Sequence, residues 1–205
     1  MSRDLVPMVR PVLSLPAGEL LDKLARGTPV PGAGPASALV TAVAAALAAM
    51  AARSSVDSWA DARAAVAQAE ALRARAGRLA EEDAAALEAF LAARLATAEP
   101  RREARDFNLG RALDRAADVP LAIAEAACDV AQLAAYVADH CEGDVRADAA
   151  SAGALAFGAA RAAAHLVEVN LATAEGDVRV VSARNLVQAA AEAADAAVSE
   201  PGNSA

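Results

Sequence analysis

The sequence predicts an all-α protein, an antiparallel bundle of long helices. Three observations lead there. No stretch of any length alternates apolar and polar residues as a half-buried strand would. Apolar residues instead recur at three-to-four spacing, most clearly at Val66, Ala69, Leu72, Ala76, Leu79, Ala80, Leu87, Phe90 and Leu91. Short clusters of Gly, Pro, Ser and Asp separate the periodic stretches, so long helices joined by short turns imply up-and-down connectivity.

Residues 1–13 read as an irregular arm, because Pro7 and Pro11 interrupt any regular element. A first helix is expected from Pro16 to Arg26, with Ser14 able to cap it, Gly27 past its end, and Leu20, Leu21 and Leu24 on one face. The loop Gly27-Thr28-Pro29-Val30-Pro31-Gly32-Ala33-Gly34-Pro35 follows, with Pro35 placed as the first residue of a second helix that runs to Arg53. Thr41 is the one polar side chain between Leu39 and Ala52, so this helix is expected to be covered on every side. Ser54 to Ser58 reads as a turn in which Asp57 or Ser58 caps a third helix, Trp59 to Ala96, where Gly77 is a point of bending or breakage. A fourth helix starts near Arg101 to Asp106 and extends to Asp139, and Pro120 should kink it or divide it in two. His140 to Asp148 reads as a turn, followed by helices from Ala149 to Thr173 and from Val178 to Val198. Residues 14–198 thus make one helical domain, and 199–205 a disordered tail.

A chain of 205 residues can bury a sizeable core. Hydrophobic residues are 57% of it and aromatics 2%, so Ala fills much of that core and stability rests on close helix approach rather than on large side chains. Little area is then buried per residue, and a homodimer is expected to complete the core. A net charge of −8 argues against sequence-independent nucleic-acid binding. The amino terminus carries no apolar run of signal length, which points to the cytoplasm, and Ala36 to Ala52 is short and Ala-rich for a membrane span. Cys128 and Cys141 read as reduced thiols, and no metal site is expected from the spacing of Cys and His.

The glycine-proline loop is where chemistry is first suggested. Prolines restrict it, Gly32 and Gly34 let a ligand approach bare backbone, and the unpaired N–H groups of the following helix attract an anion or a polarised oxygen. The competing reading is a helix start whose glycines only turn the chain. Asp83 is the second suggestion, because it falls on the apolar stripe of the third helix.

Leu21 to Gly34, leading into an Ala-rich helix, resembles the cyclodeaminase/cyclohydrolase family, which includes formiminotetrahydrofolate cyclodeaminases and methenyltetrahydrofolate cyclohydrolases. That family shows Pro-Gly-Gly-Gly-Ser where this chain has Pro31-Gly32-Ala33-Gly34-Pro35, with Ser37 two places on. Further matches are Glu82-Asp83-Ala84, Ala117-Asp118-Val119-Pro120-Leu121, Asp148 and Val169-Asn170-Leu171, so the resemblance spans Gly18 to Leu171. The chain departs from the pattern at Cys141 to Val145, at Ala147, at Leu166 and Glu168, and at Asp57-Ser58-Trp59. Each departure removes a donor that could hold a pterin or a glutamate tail.

The resemblance implies an enzyme that makes or breaks a C–N bond at a one-carbon bridge, with a tetrahydrofolate derivative as substrate and no tightly bound cofactor. Asp83 and Asp148 would be its catalytic carboxylates, and Pro31, Gly32, Gly34, Ser37 and Asn170 would bind the substrate. Partial burial of Asp83 would raise its pKa toward a useful range, whereas Asp148 at a helix amino end would stay ionised. Plainer roles stand beside these. Asp83 can be a solvated or paired helix residue, Asp148 or Asp144 a helix cap, Asn170 a backbone partner in a close helix contact, and His165 a packed or surface side chain. The alternatives for the whole chain are a diverged enzyme acting on another small molecule and a helical dimerisation module without catalysis. Convergence of Asp83 and Asp148 at the glycine loop would favour an enzyme.

Overall fold

The computed structural model describes residues 12–26, 31–95, 102–171 and 176–199. The arm up to residue 11, the first part of the glycine loop at 27–30 and the tail beyond 199 lie outside them. A short 3-10 turn, Val12–Ser14, leads to α1 (Ala17–Ala25), α2 (Ala33–Ser54), α3 (Ala62–Leu95), α4 (Arg102–His140), α5 (Gly143–Asn170) and α6 (Val178–Val198). Among the described residues there is no strand, so the all-α antiparallel bundle is the observed fold.

The core sits where α2, α4 and α5 meet, with α3 closing one side and α6 another. It is built mainly from Ala, and the largest wholly buried side chains are Ile123, Val130, Val137 and Val167. Small side chains bring the helix axes close, so many short dispersion contacts replace a few large ones. Among the described residues two helices are long and apolar enough to cross a membrane, Ala33–Ser54 and Asp106–His140, and 61% of each apolar window is buried within the chain, as in core helices. Cys128 is buried and Cys141 half-buried, and both are free.

One end of the bundle is stapled by two turns. The Ser55 hydroxyl accepts from the Glu142 backbone N–H at 3.0 Å, and Ser58 Oγ donates to the Glu142 carboxylate at 2.9 Å. Trp59, Tyr136 and His140 pack together beside this staple, with Trp59 and His140 stacked at 5.4 Å between ring centroids. Arg179 secures the start of α6 by reaching Asp177, Asp118 and Asp114 at 2.8–3.3 Å, and Asp177 caps the helix by accepting from the Arg179 N–H. The bonds from Arg179 hold the Asp177 carboxyl below its usual range.

Several elements differ from the sequence reading, each for a local reason. Pro35 is the third residue of α2, not the first. Gly32 takes the cap position, and the missing proline N–H is harmless in a first turn. α3 starts at Ala62, not Trp59, because the chain first makes a turn in which the Ser58 and Trp59 N–H groups donate to the Ser55 carbonyl and the Ala62 N–H to the Trp59 carbonyl. It runs unbroken through Gly77, whose bare Cα accommodates the Leu13 side chain; a Cβ there would overlap it. α4 is one continuous helix across Pro120. α5 begins at Gly143, with Glu142 extended before it, so Asp148 lies inside the helix instead of at its amino end. The expectation that α2 is covered on every side fails. Leu39, Val40, Val43, Ala46, Leu47 and Met50 form a partly or fully exposed stripe at helical spacing, with Val43 54% exposed. Hydropathy reports that a face avoids water, and among the described residues of the single chain nothing covers this face.

Candidate functional site

The amino end of α2 forms the roof of a pocket of about 150 Å³. Gly32 is extended there and offers no side-chain cap, and helix geometry leaves the N–H groups of Ala33 and Gly34 without an intrahelical partner. The Ala36 N–H is the first to turn inward, to the Gly32 carbonyl at 3.2 Å. Gly32, Ala33 and Gly34 all line the pocket, so the donors and the positive end of the helix dipole are available to it.

Asp83 of α3 meets this roof. Its carboxyl occupies the space that any side chain at position 34 would take, since a Cβ built on Gly34 would overlap both carboxylate oxygens. This is the physical requirement for glycine at 34, and it concerns space rather than backbone dihedral. Asp83 is 9% exposed, and no hydrogen bond or ion pair from the described residues reaches its carboxylate. Burial without compensation pushes its pKa up to about 6.

The opposite wall is made by α4 and α5, and a proline sets it. Pro120 lacks an N–H, so the carbonyl four residues back, that of Ala116, loses its helical partner. Asn170, at the end of α5, supplies the replacement by donating from Nδ2 to that carbonyl at 2.5 Å. The amide therefore serves as the backbone partner in a helix contact that the sequence left as one of two roles. Asn170 also lines the pocket. Leu87, Phe90, Leu113 and Leu166 line the rest of it with hydrocarbon, and the pocket stays partly open to solvent on the side of the exposed Leu113.

Four of the seven residues expected at the site are thus gathered: Gly32, Gly34, Asp83 and Asn170. Pro31 is buried and lies outside the lining. Ser37 is also outside it, with its hydroxyl turned back to donate to the Ala33 carbonyl at 2.8 Å. Asp148 does not converge with Asp83. It sits 22 residues before Asn170 on α5, about 33 Å away at 1.5 Å per residue, toward the stapled end. His165 is on the surface, 73% exposed and 3.9 Å from Glu168.

Residues 16–189 match the sequence pattern of the formiminotransferase-cyclodeaminase family. The chain belongs to that family. A solved cyclodeaminase shares the fold: the crystal structure of formiminotetrahydrofolate cyclodeaminase from Thermotoga maritima superposes with a TM-score of 0.75 at 22% identity, covering 91% of this chain and 93% of that one. No curated protein sequence matches. Within this cyclodeaminase-family chain, the residues missed by sequence reasoning are the apolar wall and Pro120. Leu87 and Phe90 carried a signal, since they share the stripe of Asp83. Pro120 carried a stronger one, because a proline inside a helix implies a freed carbonyl that some other residue must satisfy.

Proposed function

We propose that the chain is an enzyme of C–N bond chemistry at a one-carbon bridge, of the cyclodeaminase or cyclohydrolase kind. Its active site is the pocket under the α2 amino end, and its substrate is a tetrahydrofolate derivative. One observation carries this reading: the Asp83 carboxylate is buried in that pocket, against Gly34, with no partner among the described residues. At about 6, its pKa leaves it mostly ionised at neutral pH yet basic enough to accept a proton. In cyclodeamination a nitrogen attacks the formimino carbon, Asp83 takes the proton that nitrogen sheds, and the proton is returned to the leaving nitrogen as ammonia departs. In cyclohydrolysis water adds to the methenyl carbon and Asp83 takes one of its protons; one C–N bond then opens as that proton reaches nitrogen, while the remaining hydroxyl proton is released to solvent and the formyl C=O forms. The N–H groups of Ala33 and Gly34 are suited to hold the polar edge of the ligand.

The test is absorbance-followed turnover of formiminotetrahydrofolate and methenyltetrahydrofolate by the wild-type chain and by Asp83→Asn. Turnover of one substrate is expected, with a loss of about 10²–10⁴-fold in the variant and a much smaller change in affinity. Wild-type protein that consumes neither refutes the folate assignment. A variant with near-normal turnover refutes the role of Asp83. A second reading, cyclisation, hydrolysis or elimination at a C–N bond of another small molecule, is favoured by Leu166, which puts an apolar side chain in the wall where the family resemblance leads to an Asn.

The enzyme is proposed to act as a homodimer. The exposed stripe of α2 supports this, because a two-fold axis sets like stripe against like and removes a contiguous apolar face from water. The stripe also begins about one and a half turns from Gly34, which would put the pocket roof near the partner.

A further inference from the structure

We infer that the groove between α5 and α6, on the side of α5 turned away from the pocket, is a second ligand site that takes the phosphoryl or pyrophosphoryl group of a small molecule. It stands apart from the function proposed for Asp83, since the two places share no lining residue.

Position comes first. Arg161, Ala164, His165 and Glu168 of α5, with Arg184 and Val187 of α6, line a cavity of about 430 Å³, larger than the pocket of about 150 Å³. At 3.6 residues per turn, residues 161, 164, 165 and 168 fall about 100–160° around α5 from Leu166, which lines the pocket. The body of α5 therefore separates a ligand in this groove from Asp83.

Charge follows. The chain carries 19 Lys and Arg against 27 Asp and Glu, yet the groove gathers two guanidinium groups and an imidazole around one carboxylate. The local excess is positive even with His165 neutral, and a concave surface focuses that potential on an anion. Glu168 organises the group. Its Oε1 accepts from Arg184 Nε at 2.8 Å, and its Oε2 lies 3.9 Å from His165 Nδ1, so both basic side chains are gathered at one spot. A guanidinium carries five N–H donors and the bond to Glu168 uses the one on Nε, which steadies Arg184 while its terminal nitrogens still donate. Arg161 stands one turn before His165 and brings a second guanidinium to the same groove.

Chemistry selects the anion. Guanidinium forks match the paired oxygens of a phosphoryl group, and forks carried on two different helices call for an anion with oxygens on more than one side and more than one negative charge. A single carboxylate satisfies one fork only. Ala164 and Val187 supply a small apolar floor that suits the carbon next to the phosphate of an organic ester. Arg184 and His165 are 69% and 73% exposed, so the affinity is modest and sensitive to salt.

The experiment titrates pyrophosphate into the full-length protein at neutral pH in low-salt, metal-free buffer, followed by calorimetry. Saturable binding is expected with a dissociation constant below about 5 mM, weakened at least about fivefold in about 0.2 M salt. Replacing both Arg161 and Arg184 by Gln should weaken it at least about tenfold, whereas Arg53→Gln, which removes the same charge at the end of α2, should change it less than about twofold. Glu168→Gln should tighten it at least about twofold, because the amide oxygen still accepts from Arg184 while the repelling charge is gone. Binding that ignores the two arginines, as binding to the N–H groups of the pocket roof would, overturns the inference. So does salt-independent binding, a loss of affinity in Glu168→Gln, or no saturation by about 20 mM pyrophosphate. Should the double variant lose helix content, each single substitution serves in its place with an expected loss of at least about threefold, and a smaller loss in both overturns the inference.

Discussion

Replacing Asp83 by Asn should reveal, through its pH dependence, how much stability the pocket sacrifices. Burial raises this carboxyl from its ordinary 3.8 to about 6, so between those values the folded chain holds a proton that the unfolded chain has released. Stability attributable to Asp83 therefore falls as pH rises through that window. The penalty is absent below 3.8, grows across the window and is fully present above 6. At about 1.4 kcal/mol for each tenfold change in proton affinity, the whole window is worth about 3 kcal/mol. The part lying between about pH 4.5 and about pH 8 is worth about 2 kcal/mol. Asn does not titrate, and the other acids are common to both proteins. The unfolding free energy of the variant minus that of the wild type should therefore rise by about 2 kcal/mol across this range, whatever constant offset the amide introduces. Urea unfolding followed by far-ultraviolet circular dichroism measures it, at one fixed protein concentration because a dimer's stability depends on concentration. A difference that stays flat to within about 0.5 kcal/mol would refute the reasoning, since it means a carboxylate that is solvated or paired when ionised.

Gly34→Ala should displace the Asp83 carboxyl, whose space the new methyl would take, and lower turnover at least about 100-fold while helical circular dichroism is retained; unchanged turnover would place the carboxyl elsewhere. Asn170→Ala should cost about 1–3 kcal/mol of stability by stranding the Ala116 carbonyl. In a Pro120→Ala background, where the helix regains an N–H for that carbonyl, the cost should shrink by about 1 kcal/mol, and strict additivity of the two changes would disprove the link. Val43→Arg should convert a sedimenting dimer to monomer with its helix content intact, and a wild-type protein that sediments as a monomer at micromolar concentration counts against the dimer itself.

What the sequence makes legible here is what repeats locally. Asp83 stands out because it interrupts an apolar period, and Gly32 and Gly34 because they stand at the start of an Ala-rich helix, as its cap and its second residue. The bounds of α6 are readable, Val178 to Val198 as expected, although its cap, Asp177, is not singled out by the sequence. The illegible parts depend on partners distant in the chain. The Leu13 side chain against Gly77 joins positions 64 residues apart, and it explains why that glycine does not break α3. The Asn170 bond to Ala116 spans 54 residues, although Pro120 announces that such a bond must exist. Asp148 misleads for another reason. The polar residues from Gly143 onward look like a turn, but none of them breaks a helix outright, and the two residues Cys141 and Glu142 suffice for the reversal. The exposed face of α2 is invisible to composition, because an apolar face left open on a single chain has the same residues as a core.

The aromatic group at the stapled end determines how this protein can be watched. Trp59 is the sole tryptophan, and it lies in the turn after α2, whose 22 residues carry the chain about 33 Å from the pocket roof. Tryptophan emission thus has one source, located far from any ligand at Asp83 and stacked on the His140 imidazole. A titration followed by that signal is blind to simple occupancy of the pocket. Any change seen on adding a ligand would report motion transmitted along α2 or α3 to the far turn, which makes the tryptophan a built-in gauge of rigidity between the two ends of the bundle.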